Sequence, residues 1–225
     1  MITAVIISGG DIDIDFALLF LNNKKYDFLI GADRGIHFLH CQGIMPTHIV
    51  GDFDSSSEED LNYFKESGKV PVQTYQPEKD VTDTQIAVEL AMLLGSHEIF
   101  ILGGMGRRVD HFLANIRTLA LPLKKGIPCY LVDPYNRVSL TDRPLLLKKG
   151  KQFGKYVSLF ALGGQVTGLT LTGFKYPLLN YTMTGDDPLG VSNEIIEEKA
   201  EIFFESGSLI VVESCDNGLI AERCR

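Results

Sequence analysis

The feature that most constrains the fold is an alternation of short apolar runs with helical segments along residues 1–137. Residues 4–7, 27–31 and 98–102 are apolar runs with glycine at or just after their ends, which is typical of buried strands that lead into tight loops. Residues 81–94 place isoleucine and leucine at helical spacing. Strands that alternate with helices predict a mostly parallel, Rossmann-like α/β sheet with right-handed crossovers.

From about residue 138 the pattern changes to short strand-like runs punctuated by glycine and threonine. No helical period persists there, so residues 138–225 are expected to form a small antiparallel β-sandwich, following an α/β domain at residues 1–137. The run at 199–204 is followed by Ser206-Gly207 and then by another run at 208–213. That spacing predicts a β-hairpin.

Charge and cysteine usage exclude several classes of protein. The 225 residues include 21 Lys plus Arg against 29 Asp plus Glu, a formal charge of -8, which argues against nucleic acid as the main partner. No segment approaches the roughly 20 apolar residues of a membrane span. The four cysteines are scattered without a CxxC pair, which favours free thiols over a zinc site or a disulfide framework. A soluble, cytoplasmic protein is expected.

Two carboxylates, Asp52 and Asp54, directly follow the strand-like run at residues 47–50. In an extended chain both would lie on one face, while Phe53 would point toward a core. Mg²⁺ is the usual cation for a site built from one or two carboxylates and phosphate oxygens. An equally open alternative is that Asp54 or Ser55 caps the next helix, with Ser55 at capping-box spacing from Glu58.

Other polar residues also follow predicted strands. Asp33 comes after the run at 27–31, and Asp80 and Asp83 open the helix at 81–94, three residues apart and on one face. Acids in a first turn also suit the helix dipole, so a purely structural role stays open.

A glycine loop at residues 103–106 precedes Arg107, Arg108, Asp110 and His111 at the start of a helix. Glycines let the backbone approach an anion, and arginine suits phosphate oxygens. Neither the GxGxxG fingerprint nor a P-loop is present. The loop therefore predicts phosphate binding without a standard nucleotide motif.

Taken together, these stretches resemble the thiamine pyrophosphokinase family, in order from about residue 8 to residue 212. The stretches that carry the resemblance are GDFDS at 51–55, KDVTD at 79–83, GGMGRRVDH at 103–111, GLTLTGFKYPL at 168–178 and SNE at 192–194. The resemblance implies an α/β catalytic domain, a β domain for thiamine binding and dimerisation, and a homodimer with its active site at the interface. It also implies the reaction: ATP and thiamine give AMP and thiamine diphosphate, with Mg²⁺.

Carried over to this sequence, the resemblance implies a role for individual residues. The residues expected to be catalytic are Asp52, Asp54, Asp80 and Asp83, with Asp52, Asp54 and Asp83 at the metal. The residues expected to bind ATP are Asp33, Gly104, Arg108, Asp110 and His111. Ser192 and Asn193 are expected to hold thiamine from the partner subunit.

Two departures from the family pattern stand out. Arg107 replaces the glycine that usually precedes the arginine of the glycine loop, and the chain has no tryptophan, so any aromatic platform for thiamine must be Tyr or Phe. The residues leave three other readings: a pyrophosphokinase acting on a hydroxymethylpterin, a nucleotide- or thiamine-binding sensor without catalysis, and a doubly wound domain of unrelated function. The sequence also predicts that Asp54→Ala abolishes turnover while leaving the fold intact.

Overall fold

The computed structural model describes residues 1–53, 57–68, 70–74, 81–106 and 108–218. It divides into two compact units, one at Met1–Asp133 and the other beginning at Pro134. The boundary expected from the sequence, between residues 137 and 138, falls inside a strand that begins at Asn136. The first unit therefore ends a few residues before the sequence pattern visibly changes.

The first unit alternates strands and helices along its whole length. Its elements are β1 (Thr3–Ile7), α1 (Ile14–Asn23), β2 (Phe28–Ala32), α2 (Gly35–Cys41), β3 (His48–Gly51), α3 (Glu58–Glu66), β4 (Val72–Thr74), α4 (Asp83–Leu93), β5 (Glu98–Leu102), α5 (Val109–Thr118), α6 (Ala120–Leu123) and β6 (Cys129–Val132).

The strands of this unit lie in the order β6-β5-β1-β2-β3-β4, and every pair in that series is parallel. All five residues of β1 are buried, as expected for a central strand covered on both faces. Helix α4 packs against β1, β2 and β3. The expected fold class is confirmed for this unit, and its parallel order brings the carboxyl ends of the strands to one edge.

Three of these helices are capped at their amino ends by a side chain. Asp13 caps α1, Ser57 caps α3 and Thr82 caps α4, each accepting a hydrogen bond from a backbone N–H three residues on. The alternative that Asp54 or Ser55 caps α3 is wrong, since Ser57 caps it. The chain offers serine at 55, 56 and 57, and the helix begins at Glu58, which places Ser57 at the capping position.

The second unit consists of strands alone among its described residues up to Ser214. Its elements are β7 (Asn136–Thr141), β8 (Leu145–Lys148), β9 (Tyr156–Ala161), β10 (Val166–Thr172), β11 (Leu178–Met183), β12 (Asn193–Glu194), β13 (Lys199–Phe203) and β14 (Leu209–Ser214). Sequence patterns missed β7, β8 and β12. The expected domain boundary falls within β7, β8 follows it closely, and β12 is only two residues long.

Two antiparallel groups of strands make up the second unit. One has the order β12-β9-β14-β7 and the other β11-β10-β13-β8. A single hydrophobic cluster takes residues from both groups, including Leu159 and Val211 from the first and Leu171 and Ile202 from the second. The expected small antiparallel β domain is therefore confirmed.

The predicted hairpin between residues 199–204 and 208–213 is wrong. Strand β13 pairs with β10 and β8, whereas β14 pairs with β7 and β9. Between them, Glu205 N–H donates to the carbonyl of Thr167, and Thr167 N–H donates to the carbonyl of Ser206. Because these residues extend the pairing with β10, the chain crosses to the other group of strands instead of folding back on itself.

The helices that the structure describes are short. The longest of them in the described ranges, α4, has 11 residues. None of the described helices is long and apolar enough to cross a bilayer.

Candidate functional site

One aspartate lies at the carboxyl end of each of two neighbouring parallel strands, β2 and β3. Asp33 directly follows β2, and Asp52 directly follows β3. A Cβ on Gly51 would lie 3.2 Å from both N and Cα of Asp33, and Gly51 has a φ of 152°. Glycine at this position therefore lets the ends of the two strands approach closely enough to bring the aspartates together.

The backbone around these aspartates is unusual. Asp33 and Phe53 have φ values of 45° and 59°, in the left-handed region, and such conformations cluster at functional sites. The expectation that the chain runs extended through residues 52–54 is therefore wrong at Phe53, because the strand ends at Gly51. Phe53 is nonetheless buried, as expected, with 9% of its surface exposed.

A third carboxylate, that of Asp83, comes from the first turn of α4. Ligand oxygens of Asp33, Asp52 and Asp83 all lie within 4.8 Å of one another, and all three residues are partly buried. We call this set the carboxylate trio. Burial, followed by the negative charges of Asp33 and Asp52, raises the pKa of Asp83 to about 6. Such crowding of like charges is what a divalent cation relieves.

The donor set of the carboxylate trio fits Mg²⁺. Mg²⁺ takes oxygen ligands, usually from one or two carboxylates with phosphate oxygens and waters completing an octahedron. Histidine and cysteine, which favour zinc, do not belong to the trio. Sequence reasoning placed Asp52 and Asp83 at the metal but assigned Asp33 to ATP. The position of Asp33 at the end of β2 was the signal that could have added it to the predicted metal ligands.

Two predicted catalytic residues, Asp54 and Asp80, lie outside the described residues. So does Arg107, the residue that departs from the family pattern. Their expected roles stay predictions.

The loop after β5 is held in place from two sides. Gly10 N–H donates to the carbonyl of Gly103 at 2.9 Å, and a Cβ on Gly10 would come within 2.4 Å of that oxygen. From α5, the buried amide of Asn115 donates to the carbonyl of Gly104 at 2.8 Å. Asn115 was missed by sequence reasoning, since a buried asparagine inside a helix carries no spacing signal of its own.

Arg108 and Asp110 bind each other at the start of α5. The guanidinium of Arg108 contacts both carboxylate oxygens of Asp110, at 3.2 and 2.6 Å, and both side chains are exposed. The pairing with Arg108, followed by a hydrogen bond from the N–H of His111, lowers the pKa of Asp110 to about 2. Both groups are therefore charged at neutral pH.

These elements surround a cavity of about 460 Å³, which we call the carboxylate cavity. Its walls come from the loops after β1, β2 and β5 and from the first turns of α4 and α5. The residues predicted to bind ATP that line it are Asp33, Gly104, Arg108 and His111, and Asp83 lines it as well. Asp110 does not line the cavity, but it binds Arg108, which does.

Ser192 and Asn193 lie in the second unit, at the start of β12. Asn193 is buried, and its amide donates to the carbonyl of Tyr176 and accepts from the N–H groups of Tyr176 and Glu194. Ser192 is exposed, with a φ of 58° and its N–H bonded to the hydroxyl of Ser158. The structure thus gives Asn193 a role in shaping this turn, whereas the Ser192 side chain faces solvent.

Comparison with known proteins gives a consistent result over both units. A family model described as thiamin pyrophosphokinase, catalytic domain, matches residues 21–131, and one described as thiamin pyrophosphokinase, vitamin B1 binding domain, matches residues 145–209. The two matches fall within the two compact units of the structure.

Individual relatives agree with these matches. The chain is 34% identical to the thiamine pyrophosphokinase of Bacillus subtilis (strain 168) over 192 residues, which is 85% of this chain and 89% of that protein. The crystal structure of thiamine pyrophosphokinase from Bacillus subtilis superimposes with a TM-score of 0.83 at 32% identity, covering 95% of this chain and 99% of that chain. That of thiamin pyrophosphokinase from Geobacillus thermodenitrificans has a TM-score of 0.81 at 29% identity, covering 96% and 98%. The chain belongs to the thiamine pyrophosphokinase family.

Proposed function

We propose that this protein is a thiamine pyrophosphokinase, which transfers the pyrophosphoryl group of ATP to the hydroxyl of thiamine and releases AMP and thiamine diphosphate. The observation that carries the proposal is the carboxylate trio beside a cavity whose walls include a glycine loop and arginines. Phosphoryl-type transfer depends mostly on positioning and on neutralising phosphate charge. The family relationship selects thiamine as the acceptor.

The carboxylate trio is our candidate magnesium site, with Asp54 as a further ligand predicted from the sequence. Asp33, Asp52 and Asp83 supply three oxygen ligands within a small volume. When bound there, Mg²⁺ would neutralise charge on the phosphate oxygens. The protein's own contribution is to hold these carboxylates in place through the strand ends and the first turn of α4.

Asp83 is the candidate that orients the thiamine hydroxyl or accepts its proton. Its carboxylate lines the carboxylate cavity, and a general base must lie within hydrogen-bond reach of the hydroxyl that it deprotonates. Asp80 is predicted to assist it.

The residues proposed to bind the nucleotide are Asp33, Gly104, Arg108, Asp110 and His111. Gly104 is held by Asn115, which leaves its loop open toward the carboxylate cavity. Because Arg108 is already paired with Asp110, a phosphate that binds Arg108 must share its guanidinium with that carboxylate or displace it.

Thiamine is proposed to bind through Ser192 and Asn193 of a partner subunit in a homodimer. The exposed Ser192 hydroxyl is free to point at a ligand, and Asn193 keeps the turn in shape. Thiamine would stack on a tyrosine or phenylalanine, since the chain has no tryptophan. We also propose a cytoplasmic location, in keeping with the free thiols of Cys41, Cys129 and Cys215.

The test is AMP release from Mg²⁺ and ATP, with thiamine and then a hydroxymethylpterin as acceptor. We expect AMP and thiamine diphosphate to appear in equal amounts with thiamine and no AMP with the pterin. Release of AMP with the pterin alone would show that thiamine is not the acceptor. Measurable thiamine binding without AMP would instead indicate a sensor.

A further inference from the structure

A thiol and an imidazole lie side by side on one face of α2, apart from the carboxylate trio. Cys41 follows His37 by four residues, a spacing that places two helical side chains next to each other. Cys41 Sγ lies 3.5 Å from His37 Nε2, and both residues are exposed. Both also line a second cavity of the first unit, of about 470 Å³, which we call the α2 cavity.

The ring of His37 is oriented by Asp60, a residue of α3. The buried carboxylate of Asp60 lies 3.0 Å from His37 Nδ1. Because an ionised carboxylate only accepts hydrogen bonds, Nδ1 carries the hydrogen, and in a neutral ring the lone pair then belongs to Nε2. Nε2 is the ring nitrogen nearer to the thiol of Cys41. A histidine that binds a metal usually donates its other ring N–H to a carboxylate or a carbonyl in this way.

The separation of these two atoms matches the spacing of ligands around tetrahedral zinc. A Zn–S bond of about 2.3 Å and a Zn–N bond of about 2.0–2.1 Å, at an angle of about 109°, place sulfur and nitrogen about 3.5–3.6 Å apart. Cys41 Sγ and His37 Nε2 are 3.5 Å apart. The pair therefore already has the separation that a shared zinc ion requires.

The ligand types of this pair differ from those of the carboxylate trio. The trio offers carboxylate oxygens alone, which suit Mg²⁺, whereas thiolate and imidazole suit Zn²⁺ and similar transition metals. The chain has no CxxC pair, but a histidine and a cysteine four residues apart on a helix bring two zinc ligands together without one. The first unit thus presents two sets of ligands with preferences for different ions.

We propose that His37 and Cys41 bind a divalent transition-metal ion such as Zn²⁺, with Asp60 holding the ring of His37 in place. Cys41 binds the ion as a thiolate, and the proton of its thiol passes to solvent. Water in the α2 cavity fills the remaining coordination positions. The site is separate from the carboxylate trio, and its occupation does not depend on the proposed function.

The first test is titration of the reduced full-length protein with Co²⁺, at saturating Mg²⁺. A cobalt–thiolate bond gives a charge-transfer absorption band that cobalt bound to carboxylates lacks. We expect this band in wild type and not in Cys41→Ser. In His37→Gln the Kd for Co²⁺ should rise at least about 10-fold, since even the loss of a residue that only supports a ligand costs that much.

His97→Gln is the matched control for the histidine. His97 is exposed in the same unit, accepts a hydrogen bond from the N–H of Ile2, and lines neither cavity. It should bind Co²⁺ as wild type does. Absence of the band in wild type, or the same band in Cys41→Ser, would overturn the site. An unchanged Kd in His37→Gln would overturn it as well.

The second test is rescue by a different zinc ligand. Two histidines four residues apart on a helix also bind zinc, so Cys41→His should restore the affinity that Cys41→Ser loses. We expect the Kd for Zn²⁺, measured by competition with a chromophoric chelator, to lie within about 10-fold of wild type in Cys41→His. The cobalt–thiolate band should stay absent from that variant. Zinc affinity in Cys41→His no better than in Cys41→Ser would show that no ion joins positions 37 and 41.

The third test measures stability. An ion that binds the folded pair more tightly than the unfolded chain stabilises the fold by mass action. Zn²⁺ in excess of its Kd, at saturating Mg²⁺, should therefore raise the urea midpoint of wild type and of Cys41→His, but not that of Cys41→Ser. An equal rise in Cys41→Ser would place the stabilising ion elsewhere and overturn the assignment. None of these measurements requires ATP or thiamine, so their results are independent of the proposed function.

Discussion

The first unit contains aspartate side chains in two opposite environments, the carboxylate trio and the single residue Asp60. In the carboxylate trio, burial and neighbouring negative charges raise the pKa of Asp83 to about 6. At Asp60, burial alone would raise the pKa, but hydrogen bonds from Ser57, His40 and His37 outweigh it and hold the pKa below its ordinary value.

The geometry explains the difference. The Asp60 carboxylate is almost fully buried and meets the Ser57 hydroxyl at 2.6 Å, His40 Nδ1 at 2.6 Å and His37 Nδ1 at 3.0 Å. It joins α3 to α2 and is satisfied within the fold. The carboxylate trio instead brings like charges together. Their repulsion destabilises the folded state and favours the binding of a cation. A carboxylate crowded by other carboxylates thus indicates a binding site. A carboxylate surrounded by hydrogen-bond donors indicates a structural role.

The largest expected effect comes from removing a ligand of the carboxylate trio. Asp52→Asn should lower kcat about a thousandfold or more, because loss of a metal ligand removes several kcal/mol of charge stabilisation. Steady-state AMP release measures this, with Asp142→Asn, in an exposed ion pair of the second unit, as the control. Asp54→Ala, predicted from the sequence, is the companion variant. Near-normal turnover in Asp52→Asn would remove the trio from the mechanism.

The second effect concerns stability at Asp60. Asp60→Asn should lower the free energy of unfolding by about 2–3 kcal/mol, since it leaves buried partners poorly satisfied. Urea unfolding at pH 7 measures the loss, again against Asp142→Asn. Wild-type stability in Asp60→Asn would show that the network between α2 and α3 is dispensable.

The pH dependence of that loss has a definite sign. A carboxylate whose folded-state pKa is lowered contributes stability above its unfolded pKa of about 3.9 and loses it as the pH falls through the folded value. The difference between wild type and Asp60→Asn should therefore be full at pH 7 and shrink below about pH 4. A difference that stays constant down to pH 2 would contradict the electrostatic account.

A smaller effect of opposite sign is expected at Asp83 in metal-free protein. A carboxylate whose folded-state pKa is raised contributes stability below its unfolded pKa and loses it as the pH rises through the folded value, here about 6. Asp83→Asn should therefore stabilise the protein by about 1–2 kcal/mol at pH 8 in EDTA, after screening by solvent. The gain should vanish near pH 4. Destabilisation at pH 8 would mean that the trio is not under electrostatic strain.

The smallest effect tests how α4 holds Asp83 in place. The buried hydroxyls of Ser8 and Thr84 lie 2.6 Å apart and join the end of β1 to the first turn of α4. Thr84→Val should cost about 1 kcal/mol of stability, and adding Ser8→Ala should restore part of it, because no unpaired hydroxyl then remains. Fully additive losses in this double-mutant cycle would show that the two hydroxyls are not coupled.

Much of the architecture could be predicted from local patterns. The parallel α/β sheet followed from apolar runs that alternate with helical spacing, and the antiparallel unit followed from short runs rich in threonine and glycine. Capping was harder, because three successive serines fit the start of α3 and only the register of the helix selects Ser57. The prediction of a hairpin failed because the strands that pair with β13 and β14 lie far away in sequence.

The sequence by itself determined the family, the order of the elements and the acidic residues available for a site, since these depend on motifs and on local periodicity. Only the tertiary structure decided which acids meet. Asp33 joins Asp52 and Asp83 because β2 lies beside β3 and α4 packs on both, whereas Asp60 is satisfied by two histidines of α2. The physical reason is that contacts between distant residues depend on strand order and packing, which no local pattern encodes.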